Sequence, residues 1–231
     1  MRDMFCRLAD YRESKNIIQR LMNIFLPFFP LNLVAFPTEK LNLHIFEPRY
    51  RQLIRECIDE NKTFGIPAYL NNKVKPIGTE MKVLELSNLY PDGRMDIKTE
   101  GIRAFRALSF KNPVPEKMYS GGEIEFLEND FESDWLTRTK VIEQIDKLYE
   151  ILNIGHPFDY SKEPLSFQVA HKIGFSLDQE YQLLEIFDEI QRLEFIIEHL
   201  EKTLPIVEEV ERTKQLVKMN GHFKNLNPLQ F

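Results

Sequence analysis

Apolar and polar positions follow two periods along this chain, and the period changes near Asp130. Upstream, Met95, Ile97 and Thr99 alternate with Asp96, Lys98 and Glu100, the two-residue period of a half-buried strand. Further strands are predicted over Phe64–Leu70, Ile77–Leu86, Ile102–Phe110 and Glu123–Leu127. Pro67 is tolerable there only at an edge or bulge. Asn71-Asn72-Lys73 and Pro91-Asp92-Gly93 read as turns, because glycine accepts the positive φ that tight hairpins need. Gly101 marks a bulge or a close backbone approach. Two shorter strands come first: Leu31–Phe36, cut by Pro37, and Leu41–Phe46, which ends at Glu47-Pro48-Arg49-Tyr50. A helix begins there. Pro48 suits a first turn, where its missing N–H would be unpaired anyway, and Glu47 suits the positive end of the helix dipole. Tyr50, Leu53, Ile54, Cys57 and Ile58 form one apolar face, and Asn61 closes the helix. Many short strands with turn signals predict a small barrel or sandwich rather than a βαβ sheet.

Downstream the period is helical. Trp135, Ile142, Ile145, Tyr149 and Leu152 predict one helix face, ended by Gly155 and Pro157. Leu165, Val169 and Ile173 predict a short helix stopped by Gly174. Ser176 and Gln179 fit a capping box, followed by Tyr181, Leu184 and Phe187. Ile190, Leu193, Ile197, Leu200 and Leu204 keep a three–four spacing. Pro205 is expected to kink or restart that helix, and Ile206, Val210 and Val217 carry the stripe to a stop at Asn220-Gly221. The chain thus divides into an N-terminal extension (1–22, disordered or a short loose helix), a β unit (23–128), a helical bundle (129–219) and a tail (220–231). Met22 stands where a start is natural, and Cys6 is expected to be an accessible thiol.

Composition narrows the function. The chain has 231 residues and a net charge of −6, so as a whole it is not built to coat nucleic acid. Its two cysteines read as reduced cytoplasmic thiols rather than a disulfide framework. The most apolar run, Ile24 to Phe36, is interrupted by Pro27, Pro30 and Asn32 and falls short of the roughly 20 residues a membrane span needs.

Certain short segments carry a resemblance. Pro30-Leu31, Phe36-Pro37 and Leu43-His44-Ile45-Phe46-Glu47-Pro48-Arg49-Tyr50 resemble the opening of the Lon-protease N-terminal, substrate-binding domain, which also occurs as a free-standing protein. Phe64-Gly65, Gly78-Thr79, Asp92-Gly93-Arg94 and Gly101-Ile102-Arg103-Ala104-Phe105 follow in the family's order, and Gln182-Leu183-Leu184-Glu185 with Arg192-Leu193 resembles its helical part. Thr38 departs from the glycine that many relatives carry. The resemblance implies an α+β fold, a PUA-like β pseudobarrel followed by a C-terminal helical bundle. It also implies non-catalytic binding of polypeptide, either unfolded segments or a partner protein, with a protease as one candidate. Pro30, Phe36, Pro37, His44, Phe46, Glu47, Pro48, Arg49, Tyr50, Asp92, Gly93, Arg94, Gly101 and Phe105 are the motif residues it places, expected to be structural. It leaves the peptide-binding residues open.

Searching the sequence for chemistry yields absences. A phosphate-binding loop needs Gly-Lys after a glycine-rich turn, and the chain contains no Gly-Lys dipeptide. The Pro-Ser-Ala-Gly type surround of the Lon catalytic serine is missing too, so ATP hydrolysis and proteolysis are expected to be absent, with no cofactor. His44, His156, His171, His199 and His222 are scattered without metal-ligand spacing. A Cys57–His44 dyad is disfavoured because Cys57 lies on a core-facing stripe. Glu39 and Glu47 read as structural rather than catalytic. Glu208-Glu209-x-Glu211 and Glu123-x-Glu125 read as solvated faces. Arg103, Arg106 and Lys111 with Phe105 and Phe110 form a basic–aromatic cluster, which makes RNA binding through the PUA-like barrel the second reading.

Overall fold

The computed structural model describes residues 24–155 and 157–223. The expectations for residues 1–22, Cys6 among them, for His156 and for residues 224–231 lie outside the described residues. The described residues form two compact units: 24–129 together with 176–187, and 130–175 together with 188–223.

The first unit contains strands β1 (Ile24–Phe28), β2 (Lys40–Ile45), β3 (Phe64–Leu70), β4 (Lys73–Leu89), β5 (Met95–Ala107) and β6 (Ser120–Phe126), with helix α1 (Pro48–Asp59) after β2. Neighbour order β5-β4-β3-β1-β6 returns to β5, closing a five-stranded barrel. One edge of β5 is shared in succession. Its residues Met95 to Glu100 pair β2, and Phe105 to Ala107 pair β6. Gly101 is the handover: its N–H bonds the Glu39 carbonyl at 2.8 Å, its carbonyl accepts from Thr38, and a Cβ there would lie 2.2 Å from the Phe36 carbonyl oxygen. Only glycine allows that approach. The pairing with β4 slips by one residue at the same place, leaving Ile102 as the extra residue of a bulge.

Two apolar clusters result. Leu26, Phe28, Phe105 and Ile124 form one, with Phe28 and Phe105 stacked 5.5 Å apart. The other packs Tyr50, Leu53, Ile54 and Cys57 of α1 against Phe29, Phe64, Met81, Met95 and Ile97. Each fully buried aromatic or aliphatic side chain contributes roughly 1.5–3 kcal/mol, so the spacing of α1 is what docks it. Ile58, predicted on that face, is partly exposed.

The segment Leu31–Phe36 is not a strand. It carries one isolated bridge, Leu31 to Ala68, and the strand lies earlier, at β1. Val34, Ala35 and Phe36 are apolar because they are buried, and side chains satisfy two of their backbone groups. The Thr79 hydroxyl donates to the Ala35 carbonyl (2.5 Å), and Phe36 N–H donates to Glu39 Oε2 (3.0 Å). Pro27 fits β1 because β3 reaches that strand only at Phe28, leaving one edge of its first part without ladder bonds.

The second unit holds α2 (Trp135–Leu152), α3 (Leu165–Val169) running into a 3-10 turn (Ala170–Lys172), and α5 (Glu189–Phe223); α4 (Leu177–Glu185), with its Ser176–Gln179 capping box, belongs to the first unit. Asp134 caps α2 by accepting from Thr137 N–H at 2.9 Å, and Asn153 ends it in the left-handed region. Its buried face is Val141, Ile145, Leu148 and Tyr149; Trp135 and Leu152, predicted on that face, are exposed. Lys140 meets Glu201 (2.8 Å) and Lys147 meets Glu208 (2.9 Å), equal steps that show α2 and α5 running parallel. Leu193, Ile196, Leu200 and Leu204 are buried, but Ile206, Val210 and Val217 are exposed and do not continue the core. Pro205 does not interrupt α5, which also runs through Asn220-Gly221. The carbonyl that Pro205 cannot bond, four residues back at Glu201, belongs to an exposed residue.

Candidate functional site

The motif residues fall into two environments. Pro37, Phe36, Tyr50 and Phe105 are buried. The Tyr50 ring centroid lies 3.9 Å from that of Phe29, the Arg49 guanidinium lies 4.5 Å over the Tyr50 ring, and burial raises the Tyr50 hydroxyl pKa. Pro30 is half-buried, and Pro48 opens α1 with Glu47 as cap residue. Glu47 and Arg49 pair with each other at 2.8 Å on the surface. Asp92 accepts from Arg94 N–H (3.1 Å) and Arg94 Nε (2.7 Å), Gly93 has φ 85°, and the Asp92 carbonyl accepts from Arg51, so the three residues hold the β4–β5 turn. Those bonds, the Arg94 backbone N–H first, hold the Asp92 carboxyl below its usual range.

His44 and Phe46 are on the outer face instead. His44 Nδ1 meets Asp96 Oδ1 at 2.5 Å, and Tyr90 donates to the other oxygen at 2.7 Å. His44 also stacks on the exposed Phe46. Cys57 is buried beside the Thr63 carbonyl, and burial pushes its thiol up to about 12. A thiol held protonated in the core while its supposed partner is engaged outside makes no catalytic dyad. Among the described residues no group of three or more His, Cys, Asp or Glu is arranged to hold a metal, and no helix is long and apolar enough to cross a membrane.

Two of the three cations of the basic–aromatic cluster are neutralised by carboxylates, and Lys111 is exposed. Arg103 binds Glu80 at 2.8 Å and lies over the Phe126 ring, and Arg106 binds Glu125 at 2.9 Å. Phe105 is inside the barrel, so of the two rings only Phe110 is exposed, and it stacks on Phe28. The acidic runs are likewise engaged: Glu208 with Lys147, Glu211 with Lys214, Glu125 with Arg106.

What the first unit does offer is an open strand edge. β3 pairs β4 only as far as Met81, whereas β5 accompanies β4 to Leu89. From Lys82 to Leu89, β4 therefore has a partner on one side and no strand among the described residues on the other. Leu84, Leu86 and Leu89 along it are 49, 40 and 56% exposed. Register slips at Leu84 and Ser87, with the charges of Lys82 and Glu85, blunt the edge against pairing with its own kind. The sequence reading placed a strand here but gave no sign that its partner ends halfway, because the alternation of β4 says nothing of how long β3 runs.

A family model for the ATP-dependent protease La (LON) substrate-binding domain matches residues 25–202. Two solved structures are similar in fold. A Lon N-terminal domain protein from Xanthomonas campestris is 24% identical, with TM-score 0.57, the match covering 74% of this chain and 95% of that one. The N-terminal domain of the Mycobacterium avium complex Lon protease is 15% identical, with TM-score 0.56, covering 77% and 98%.

Proposed function

The chain belongs to the LON substrate-binding domain family, and from that premise we propose that it binds extended polypeptide segments without catalysing any change in them. The observation that carries the reading is the open edge of β4 from Lys82 to Leu89 with its three exposed leucines. An added strand takes main-chain hydrogen bonds from such an edge whatever its sequence, and the leucines select apolar side chains at alternate positions. That combination suits a binder of unfolded segments, which share backbone and apolar content rather than a motif. The buried, protonated Cys57 fits a reducing compartment, and we place the activity in the cytoplasm, with a partner protease as one recipient of the bound segment.

The test is binding of a fluorescently labelled, permanently unfolded model protein, read by anisotropy with and without ATP. Saturable binding without cleavage, indifferent to ATP, is expected. Leu84→Lys/Leu89→Lys should weaken it at least about tenfold, with the melting temperature unchanged because both sites are exposed. ATP-dependent cleavage by the pure protein overturns the reading. So does unchanged binding by the leucine variant. Salt-sensitive RNA binding with no polypeptide binding would replace it with the second reading, which the neutralised arginines disfavour.

A further inference from the structure

In the second unit the only tryptophan of the chain is 77% exposed and Leu136 beside it 70% exposed. Adjacent exposed side chains of this size matter here because they border a groove rather than standing alone. Both line a groove of about 700 Å³ between α2 and α5, floored by Ile197. The parallel helices set its shape. Glu194, Glu198 and Glu201 follow one another at helical spacing along α5, and Lys140 and Glu143 face them from α2. Lys140 is engaged with Glu201, and Glu198 with Lys202. Among the described residues neither Glu143 nor Glu194 has an ion partner. Four carboxylates against one ammonium line a groove whose exposed anchors are an indole and a leucine.

We propose that this groove docks a short polypeptide segment carrying one bulky apolar side chain flanked by lysine or arginine. The apolar side chain would lie against Trp135, Leu136 and Ile197, a flanking cation would meet the indole face, and the others would meet Glu143 and Glu194. The stretch from Trp135 to Glu143 is a little over two helical turns, about 12 Å, room for roughly four extended residues. A second copy of the same face would bring carboxylates against carboxylates and is disfavoured on charge. The groove and the β4 edge share no residue, so each reading is tested by its own variants.

Because Trp135 is the sole tryptophan, its emission reports the groove directly. The probe is a synthetic peptide with one phenylalanine between pairs of lysines; controls replace the lysines by glutamates or the phenylalanine by serine. The lysine–phenylalanine peptide should shift the Trp135 emission saturably, more weakly at high salt, and both controls should fail. Glu143→Lys/Glu194→Lys should weaken binding at least about tenfold, since two rim attractions become repulsions. Trp135→Ser, followed with a labelled peptide by anisotropy, should also weaken it, while Leu84→Lys/Leu89→Lys leaves it intact. Equal binding of the acidic peptide, or no effect of the charge reversal, overturns the proposal. A concentration-dependent dimer that Trp135→Ser abolishes would also overturn it, making the groove an interface between copies.

Discussion

Two glutamate–arginine pairs sit at helix starts in opposite surroundings. Glu47 precedes the first turn of α1 and holds Arg49 at 2.8 Å with both side chains more than a third exposed; Glu189 opens α5 and holds Arg192 at 2.8 Å with both fully buried. The first belongs to the most conspicuous peptide of the sequence, the second to an ordinary-looking amphipathic helix. Yet the second is the hub. Arg192 donates to Ser166 Oγ (3.1 Å) and to the Asp130 carbonyl (2.7 Å), with Phe167 and Phe131 flanking its guanidinium, while Glu189 accepts from the Ser166 backbone N–H (3.0 Å) and hydroxyl (2.6 Å). It ties the first residue of the unit and the start of α3 to α5. The same ion pair is a near-neutral ornament in water and a structural necessity out of it, because a buried charge deprived of its partner has no solvent to turn to.

Breaking the buried pair is the largest effect expected. Arg192→Ala strands the Glu189 carboxylate and should cost about 3–5 kcal/mol in denaturant unfolding. The double variant Glu189→Leu/Arg192→Met removes both charges and should recover only part, since the Ser166 N–H and hydroxyl lose their acceptors. A loss under about 1 kcal/mol for Arg192→Ala would mean water reaches the cluster and the contrast is false.

Tyr50 sharpens the comparison from the other side, as the buried residue next to the exposed pair. Packed against Phe29, it should cost about 3 kcal/mol when cut to Ala, with client binding retained in whatever remains folded. A stable Tyr50→Ala protein that had lost binding would show that the octapeptide is a recognition surface.

These contrasts mark what the sequence could disclose. Periodicity located β2 through β6, α1 and the capping box of α4, because each is a local pattern of burial or turn chemistry. It misplaced the first strand, since Leu31–Phe36 is apolar for burial without pairing and β1 contains a proline. It placed Trp135 on a core face because spacing gives an angle round a helix but not how closely the neighbouring helix packs at that level, and beside Trp135 a groove separates α2 from α5. In sequence Arg192 belongs only to the family resemblance; nothing in a single arginine between glutamine and leucine tells that five partners converge on it from residues 130, 131, 166, 167 and 189. The open edge of β4 was equally hidden, being a fact about where β3 ends.

An intermediate case lies on α1. Glu56 accepts from the Tyr119 hydroxyl (2.5 Å), Lys117 (2.9 Å) and Gln52 (3.0 Å) at a partly buried site. Burial pushes its carboxyl up, but those bonds together outweigh burial and hold it below its usual range. A carboxyl with a depressed folded pKa contributes stability that is complete above its unfolded value and is lost as pH falls through the folded value. Glu56→Gln should therefore lower stability near neutrality, by on the order of 1 kcal/mol, and flatten the loss seen below about pH 4.5. Melting temperatures across that acid range decide it; an identical acid limb in the variant would assign the loss to other carboxylates.

The smallest effect belongs to the exposed pair. Arg49 gains a salt-screened contact with Glu47 and lies over the Tyr50 ring at 4.5 Å. Exposed ion pairs contribute about 0.2–1 kcal/mol and an exposed cation over an aromatic ring about 0.5–1, so Arg49→Ala should cost on the order of 1 kcal/mol and no more than about 2. A double-mutant cycle with Glu47→Ala isolates the ion pair from the ring contact, and its coupling energy should fall below about 0.5 kcal/mol and shrink further in high salt. A salt-independent coupling near 2 kcal/mol would place this pair with Glu189 and Arg192, shielded from water in solution. Unaltered stability with lost polypeptide binding would instead move Arg49 into the binding surface, and the exposed pair would then be the functional one.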